Sequence, residues 1–121
     1  MASKIIKTHF SDRELDCHCG CQKTVSPELV VRLEALRLTL DQPLPVTSGA
    51  RCEAYNREVG GFPKSWHLQG LAVDIACSGS RLRGEIIRLA VLLGFNGIGV
   101  AKTFVHLDLR PADERRCFLY D

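Results

Sequence analysis

The stretch SWHLQGLAVDIA, residues 65–76, sets His67 and Asp74 seven positions apart in an otherwise apolar run, and TFVHLDLR, residues 103–110, adds His106. Asp74 stands among Ala72, Val73, Ile75 and Ala76. A carboxylate in such company is costly to bury unless a partner or a metal pairs it. The intervening Leu68, Gln69 and Gly70 can turn the chain so that His67 and Asp74 converge. Two imidazoles and one carboxylate form the ligand set of a tetrahedral zinc ion with a fourth position left for water, the arrangement that makes zinc catalytic instead of structural. Water held there ionises near pH ~7 and attacks carbonyls. A histidine or aspartate beside an apolar strand is more often a hydrogen-bonded structural residue, so spacing alone does not separate a ligand set from a structural trio.

Two further groups carry chemistry. Asp108 follows His106 at i+2, so on a strand both face the same side. It can exchange protons as a general base, or it can orient His106 or pair with an arginine. Six cysteines are the second group, three of them crowded into CHCGC as Cys17, Cys19 and Cys21, with Cys52, Cys77 and Cys117 apart. Disulfides suit an extracytoplasmic setting, while free thiols or a zinc clip suit the cytosol. The CxC spacing of the cluster departs from the usual CxxC of structural zinc. His9 and His18 have weaker claims as ligands.

These groups need elements to place them. Ser11 stands three residues before Glu14, the capping-box spacing, which predicts a helical turn. SPELVVRLEALRLTLDQP predicts a helix with Ser26 as cap, Pro27 in the first position, a stop at Pro43, and Leu29, Leu33, Leu36 and Leu40 as its buried stripe. PLPVTSG reads as a short strand and CEAYNREVGG as a two-turn helix halted by left-handed Gly60 and Gly61. GLAVDIA reads as a buried strand, and SRLRGEIIRLAVLLG as a helix capped by Ser80 and ended by Gly94. GIGVA and FVHLDLR complete the set as strands meeting near residues 101–103, with Gly97 and Gly99 letting one strand lie close beneath the site. The mixture predicts an α+β domain with a small, mostly antiparallel sheet.

Length and composition fit that reading. A chain of 121 residues, 45% apolar and 25% charged, suits one soluble domain over 1–121 with its core from about residue 10. The net charge of +2 is small and spread along the chain, which speaks against nucleic acid as a partner. No run is long enough to span a bilayer, and MASKIIKTHFSDRELD lacks the apolar stretch of a secretory signal. A monomer made in the cytoplasm is expected.

Together TSGARCEAYNREVGG, SWHLQGLAVDI and FVHLDLR resemble the SGxR, SxHxxGxAxDI and VHxDxR signatures of the zinc D-alanyl-D-alanine metallopeptidases, whose fold is shared with the hedgehog signalling domain. The FSxxEL opening and CxCGC cluster are similar to single-domain phage and bacterial members. The resemblance implies that His67, Asp74 and His106 bind one catalytic zinc and that Arg51 holds a substrate carboxylate or steadies an oxyanion. It implies Ser48 shaping the turn that presents Arg51 and Ser65 hydrogen-bonded beside the metal. Trp66, next to His67 on a loop, reads as a wall of the substrate cleft or as a lid over the core. The resemblance also implies disulfides joining an N-terminal cysteine to Cys52 and Cys77 to Cys117. Many relatives carry an acid three residues before the last histidine, where this chain has Thr103, so Asp108 is the remaining candidate for the base. The implied activity is amide hydrolysis in peptidoglycan peptide stems, as a carboxypeptidase or endopeptidase reaching the cell wall through phage lysis or a virion. A zinc-containing module that binds cell wall or serves virion assembly without catalysis is the rival.

Overall fold

The structure, a computed structural model, describes residues 8–120. The expected lack of a secretory signal rests partly on residues 1–7, outside that range. Helix α1, Asp12–Leu15, begins with a reciprocal capping box: the Ser11 hydroxyl accepts the Glu14 N–H at 3.2 Å and the Glu14 carboxylate accepts the Ser11 N–H at 3.0 Å. The same carboxylate accepts the Val46 N–H at 3.0 Å, tying α1 to strand β1, Val46–Ser48. His9 is held on helix α2, Pro27–Leu40, by the Glu34 carboxylate, 2.6 Å from His9 Nδ1.

Helix α2 starts at Ser26 and Pro27 as expected and buries Leu29, Leu33 and Leu36. It stops short of Pro43. Proline pushes Gln42 out of helical conformation, so the left-handed cap falls on Asp41 at φ 52°. Helix α3, Glu53–Glu58, is capped by the Cys52 thiol and closed by left-handed Gly60. Gly61 is not left-handed, contrary to expectation. Its requirement is steric, because a Cβ there would meet Asn56 and the Arg51 guanidinium. Ser80 is the first residue of helix α4, Ser80–Leu92, and not its cap, a role taken by Gly79 without a side-chain hydrogen bond.

Strands β2 (Ala72–Ala76), β3 (Gly97–Val100), β4 (Phe104–Asp108) and β5 (Arg116–Leu119) join β1 in one sheet of order β1-β2-β4-β3-β5. All pairings are antiparallel except β3 with β5. The sheet is thus α+β and mostly antiparallel, with β5 as an unanticipated edge strand. Val73, Ile75, Val105, Leu107 and Ile98 face the core shared with Leu29, Leu33, Leu36, Ile86 and Leu89 of α2 and α4. The alternation of the pleat sends Asp74, Phe104, His106 and Asp108 to the opposite face. Among the described residues, no helix is long and apolar enough to cross a membrane.

Candidate metal centre

Register places two of the three expected ligands. Asp74 on β2 lies directly opposite His106 on β4. His67 arrives from a 3-10 turn, Trp66–Gln69, whose cap is Ser65: its hydroxyl accepts the His67 N–H at 3.1 Å. Left-handed Gly70 then turns the chain into β2. Asp74 Oδ1 sits 3.0 Å from His106 Nδ1 and 3.3 Å from His67 Nε2. All three side chains are buried or nearly so.

The outer nitrogens settle which atoms face inward. His67 Nδ1 lies 2.7 Å from the Gly49 carbonyl, which can only accept, so this nitrogen carries the proton. His106 Nε2 donates to the Asp108 carboxylate at 2.7 Å. In this tautomer His67 Nε2 and His106 Nδ1 are the nitrogens that face Asp74 Oδ1, and each, when unprotonated, presents a lone pair to it. Two nitrogen lone pairs and a carboxylate oxygen that face one another call for a cation, and this donor set is the one zinc takes at catalytic sites. The residues fit the ion.

Charges around the trio are balanced. Burial works to raise the Asp74 pKa, but His106 and His67 outweigh it and hold the carboxyl below its ordinary range. Burial likewise works to lower His106, and the Asp108 and Asp74 carboxylates outweigh it, so the imidazole sits above its ordinary value. Arg51 spans the rim: Nε donates to Ser48 Oγ at 3.1 Å, Nη1 to Asn56 Oδ1 at 3.1 Å, and Nη2 reaches Asp74 Oδ2 at 3.5 Å. Three of its five N–H groups are engaged, leaving two for a ligand.

Asp108 is enclosed completely. Besides His106 it accepts Arg110 Nη2 at 2.7 Å, Nε at 2.8 Å and the Arg110 N–H at 3.1 Å. Burial would raise its pKa, yet Arg110 and His106 overcome that and keep it ionised. Gly97 makes room for this arrangement, since a Cβ there would overlap the Asp108 carboxylate, and one at Gly99 would strike the rings of Phe118 and Tyr120.

The trio opens into a cleft of about 890 Å³. Its lining includes Arg51, Ser65, Trp66, Phe104, Arg110, Phe118 and Tyr120, and Asp74 is its only carboxylate among the described residues. Thr103 is exposed and outside this lining. Sequence reasoning missed Arg110, Phe118 and Tyr120. Arg110 stands in the VHxDxR signature itself, and its guanidinium carbon lies 5.8 Å from the Trp66 ring centroid and 5.6 Å from that of Phe118. Burial, then the nearby Asp74 charge, pushes the Tyr120 phenol up to about 12, so it keeps its proton as a donor.

The expected disulfides are absent, and all six cysteines are free thiols. Cys77 directly follows β2 while Cys117 lies on β5, with β4 and β3 between. At ordinary strand spacing that separation is about 14 Å, beyond the reach of a disulfide.

A comparison with curated proteins gives no significant match. A family model does match, that of Peptidase M15, over residues 8–108. The matched span runs from the N-terminal turn through β4 and holds both histidines, the aspartate between them and Arg51. Its members are zinc metallopeptidases with one ion, which accords with the donor set formed by His67, Asp74 and His106 and with the α+β sheet that carries it. On the extent of that match and the convergence of those three side chains, the chain belongs to the Peptidase M15 family.

Proposed function

We propose that the chain hydrolyses an amide bond in the peptide stem of peptidoglycan, with His67, Asp74 and His106 holding the zinc and Arg51 binding a carboxylate of the substrate. The observation that carries this reading is the convergence of His67 Nε2, Asp74 Oδ1 and His106 Nδ1 at the floor of a cleft flanked by arginines. When bound, zinc supplies Lewis acidity toward a carbonyl and acidifies water toward neutrality. The protein's own groups do the rest. The Gly49 carbonyl and the Asp108 carboxylate fix the two imidazoles, Arg51 offers two unengaged N–H groups to an anion, and Tyr120 donates a hydrogen bond from the wall. Trp66 and Phe118 exclude water from beside the scissile bond.

Within this proposal Asp108 orients His106 and does not shuttle protons. A carboxylate already accepting from His106 and three times from Arg110, with no exposed surface, has no path to water. The second reading is a wall-binding module without catalysis. It draws on Asp74 being the only carboxylate of the cleft lining among the described residues and on Thr103 standing outside that lining.

Defined muropeptides incubated with zinc-loaded protein separate these readings. New amino groups and a product mass assigning the cut bond are expected, together with a loss of about 10²-fold or more in turnover for Arg51→Ala, in the range of a lost oxyanion or anchoring donor. Tight retention on peptidoglycan without any cleavage would overturn the enzymatic reading in favour of the binding module. Loss of only a terminal residue identifies a carboxypeptidase, and an internal cut identifies an endopeptidase.

A further inference from the structure

On the far side of the Arg51 loop, four sulfurs from two distant segments meet. The Sγ atoms of Cys17, Cys19, Cys21 and Cys52 all lie within 4.8 Å of one another, with Cys17 to Cys19 at 3.4 Å and Cys19 to Cys52 at 3.6 Å. A tetrahedral ion with Zn–S bonds of about 2.3 Å sets its sulfurs about 3.8 Å apart. A disulfide needs about 2.05 Å. The observed spacings therefore match the edges of a metal tetrahedron more closely than a bonded pair, and all four sulfurs take part.

The backbone is shaped for this grouping. Gly20 and Gln22 are both left-handed, at φ 88° and 70°, and the Cys17 N–H closes the loop on the Lys23 carbonyl at 2.7 Å. Two left-handed residues in the loop gather three cysteines spaced two apart onto one side, which explains how a CxCGC run manages without CxxC spacing. A left-handed glutamine is unusual enough to point to a constraint. Backbone donors are aimed at the sulfurs as well: the Cys52 N–H reaches Cys17 Sγ at 3.4 Å and the Tyr55 N–H reaches Cys52 Sγ at 3.4 Å. Such bonds stabilise thiolates, the form that binds metal.

We propose that Cys17, Cys19, Cys21 and Cys52 form a second, closed metal site that holds a structural zinc ion as a tetrathiolate. Soft sulfur donors select zinc over calcium or magnesium, and four protein ligands leave no position for substrate, so the site is structural. Its effect falls on the cleft. Cys52 adjoins Arg51, whose N–H donates to the His67 carbonyl at 3.0 Å, and the same loop supplies the Gly49 carbonyl that orients His67. The clip fastens this loop to the end of α1, where the Ala50 N–H already meets the Leu15 carbonyl at 2.9 Å.

The site is independent of the catalytic reading, and its test is kept so. Full-length protein is purified under reducing conditions, stripped, reloaded with zinc or cobalt(II), and washed. Two zinc ions per chain are expected. A His67→Ala, His106→Ala double variant should keep one, and its cobalt form should show thiolate-to-cobalt charge transfer with intense tetrahedral visible bands. Cys21→Ser should lose one equivalent and weaken those bands, whereas Cys117→Ser, outside the cluster, should leave them unchanged. If the cysteine variant does not fold, the wild-type and double-variant spectra still decide. One zinc per wild-type chain with none in the double variant, a cobalt spectrum lacking thiolate charge transfer, or a Cys19–Cys52 disulfide in protein kept reduced with zinc present would each overturn the proposal.

Discussion

Replacing Asp108 by asparagine separates its two possible roles. The substitution keeps the volume and one carbonyl oxygen for the His106 Nε2–H but removes the charge that now faces both His106, at 2.7 Å, and Arg110, at 2.7 and 2.8 Å. A carboxylate behind a ligating histidine raises its basicity, and losing such a partner costs about 10- to 100-fold in metal affinity, or about 1.4–2.7 kcal/mol. Arg110, only 8% exposed, is left without its counter-ion. Breaking a buried pair on one side costs about 3–5 kcal/mol of stability, a large part of a small domain's total. Zinc affinity is measured by competition with a chromophoric chelator, and turnover on peptidoglycan at zinc concentrations saturating both forms. Asp108→Asn should weaken zinc by the stated factor while turnover at saturation stays within about tenfold of the parent. A proton shuttle would behave oppositely, with zinc affinity intact and turnover down by about 10²–10⁴-fold. That outcome would refute the orienting role.

The pKa shifts and the glycines give two further predictions. Asp74 and Asp108 are depressed, so their stabilisation is complete above their unfolded value of about 4 and lost as pH falls through the lower folded values. His106 is raised, so its contribution is complete below about pH 6.5 and lost as pH rises through its folded value. Chelator-treated protein should therefore show a falling urea midpoint above neutrality, while zinc-loaded protein should lose stability on the acid side, where protons compete for the imidazoles. Identical pH profiles for the two forms would contradict the assignment. Gly97→Ala should cost about 1–3 kcal/mol by overpacking against Asp108 and should weaken zinc, whereas Gly84→Ala, in α4 with open space around its Cβ, should gain about 0.5–1 kcal/mol. Paired denaturation curves check both, and equal effects would remove Gly97 from the site's design.

What the sequence reveals here is mostly local. Ser11 with Glu14, Ser26 with Pro27, and Gly94 act within one turn, and each sits where its chemistry predicts. His67, Asp74, His106 and Arg51 are legible because a buried carboxylate demands partners and because signatures extend along the chain. The misses are longer-ranged or masked. Strand β5, RCFL, begins with a charge, stays largely exposed and pairs in parallel with β3, so it lacks the clean alternation that marks a strand. Cys52 meets the CxCGC loop across 33 residues, as the resemblance implied, but as one of four clustered thiols and not as half of a disulfide. The Asp108–Arg110 pair was within reach, since residues two apart on a strand share a face. Its import lies in the complete burial of Asp108, which composition does not announce.

One register governs both faces of the sheet. On the core side Val73 pairs with Leu107, which pairs with Ile98, and on the other side Asp74 pairs with His106, which pairs with Gly99. A slip of one residue would exchange the faces, carrying the ligands into the core and the apolar residues into the cleft. Val73, Ile75, Val105 and Leu107 are fully buried, and each is worth about 1.5–3 kcal/mol relative to exposure. The hydrophobic side of the sheet therefore sets the spacing of the metal ligands.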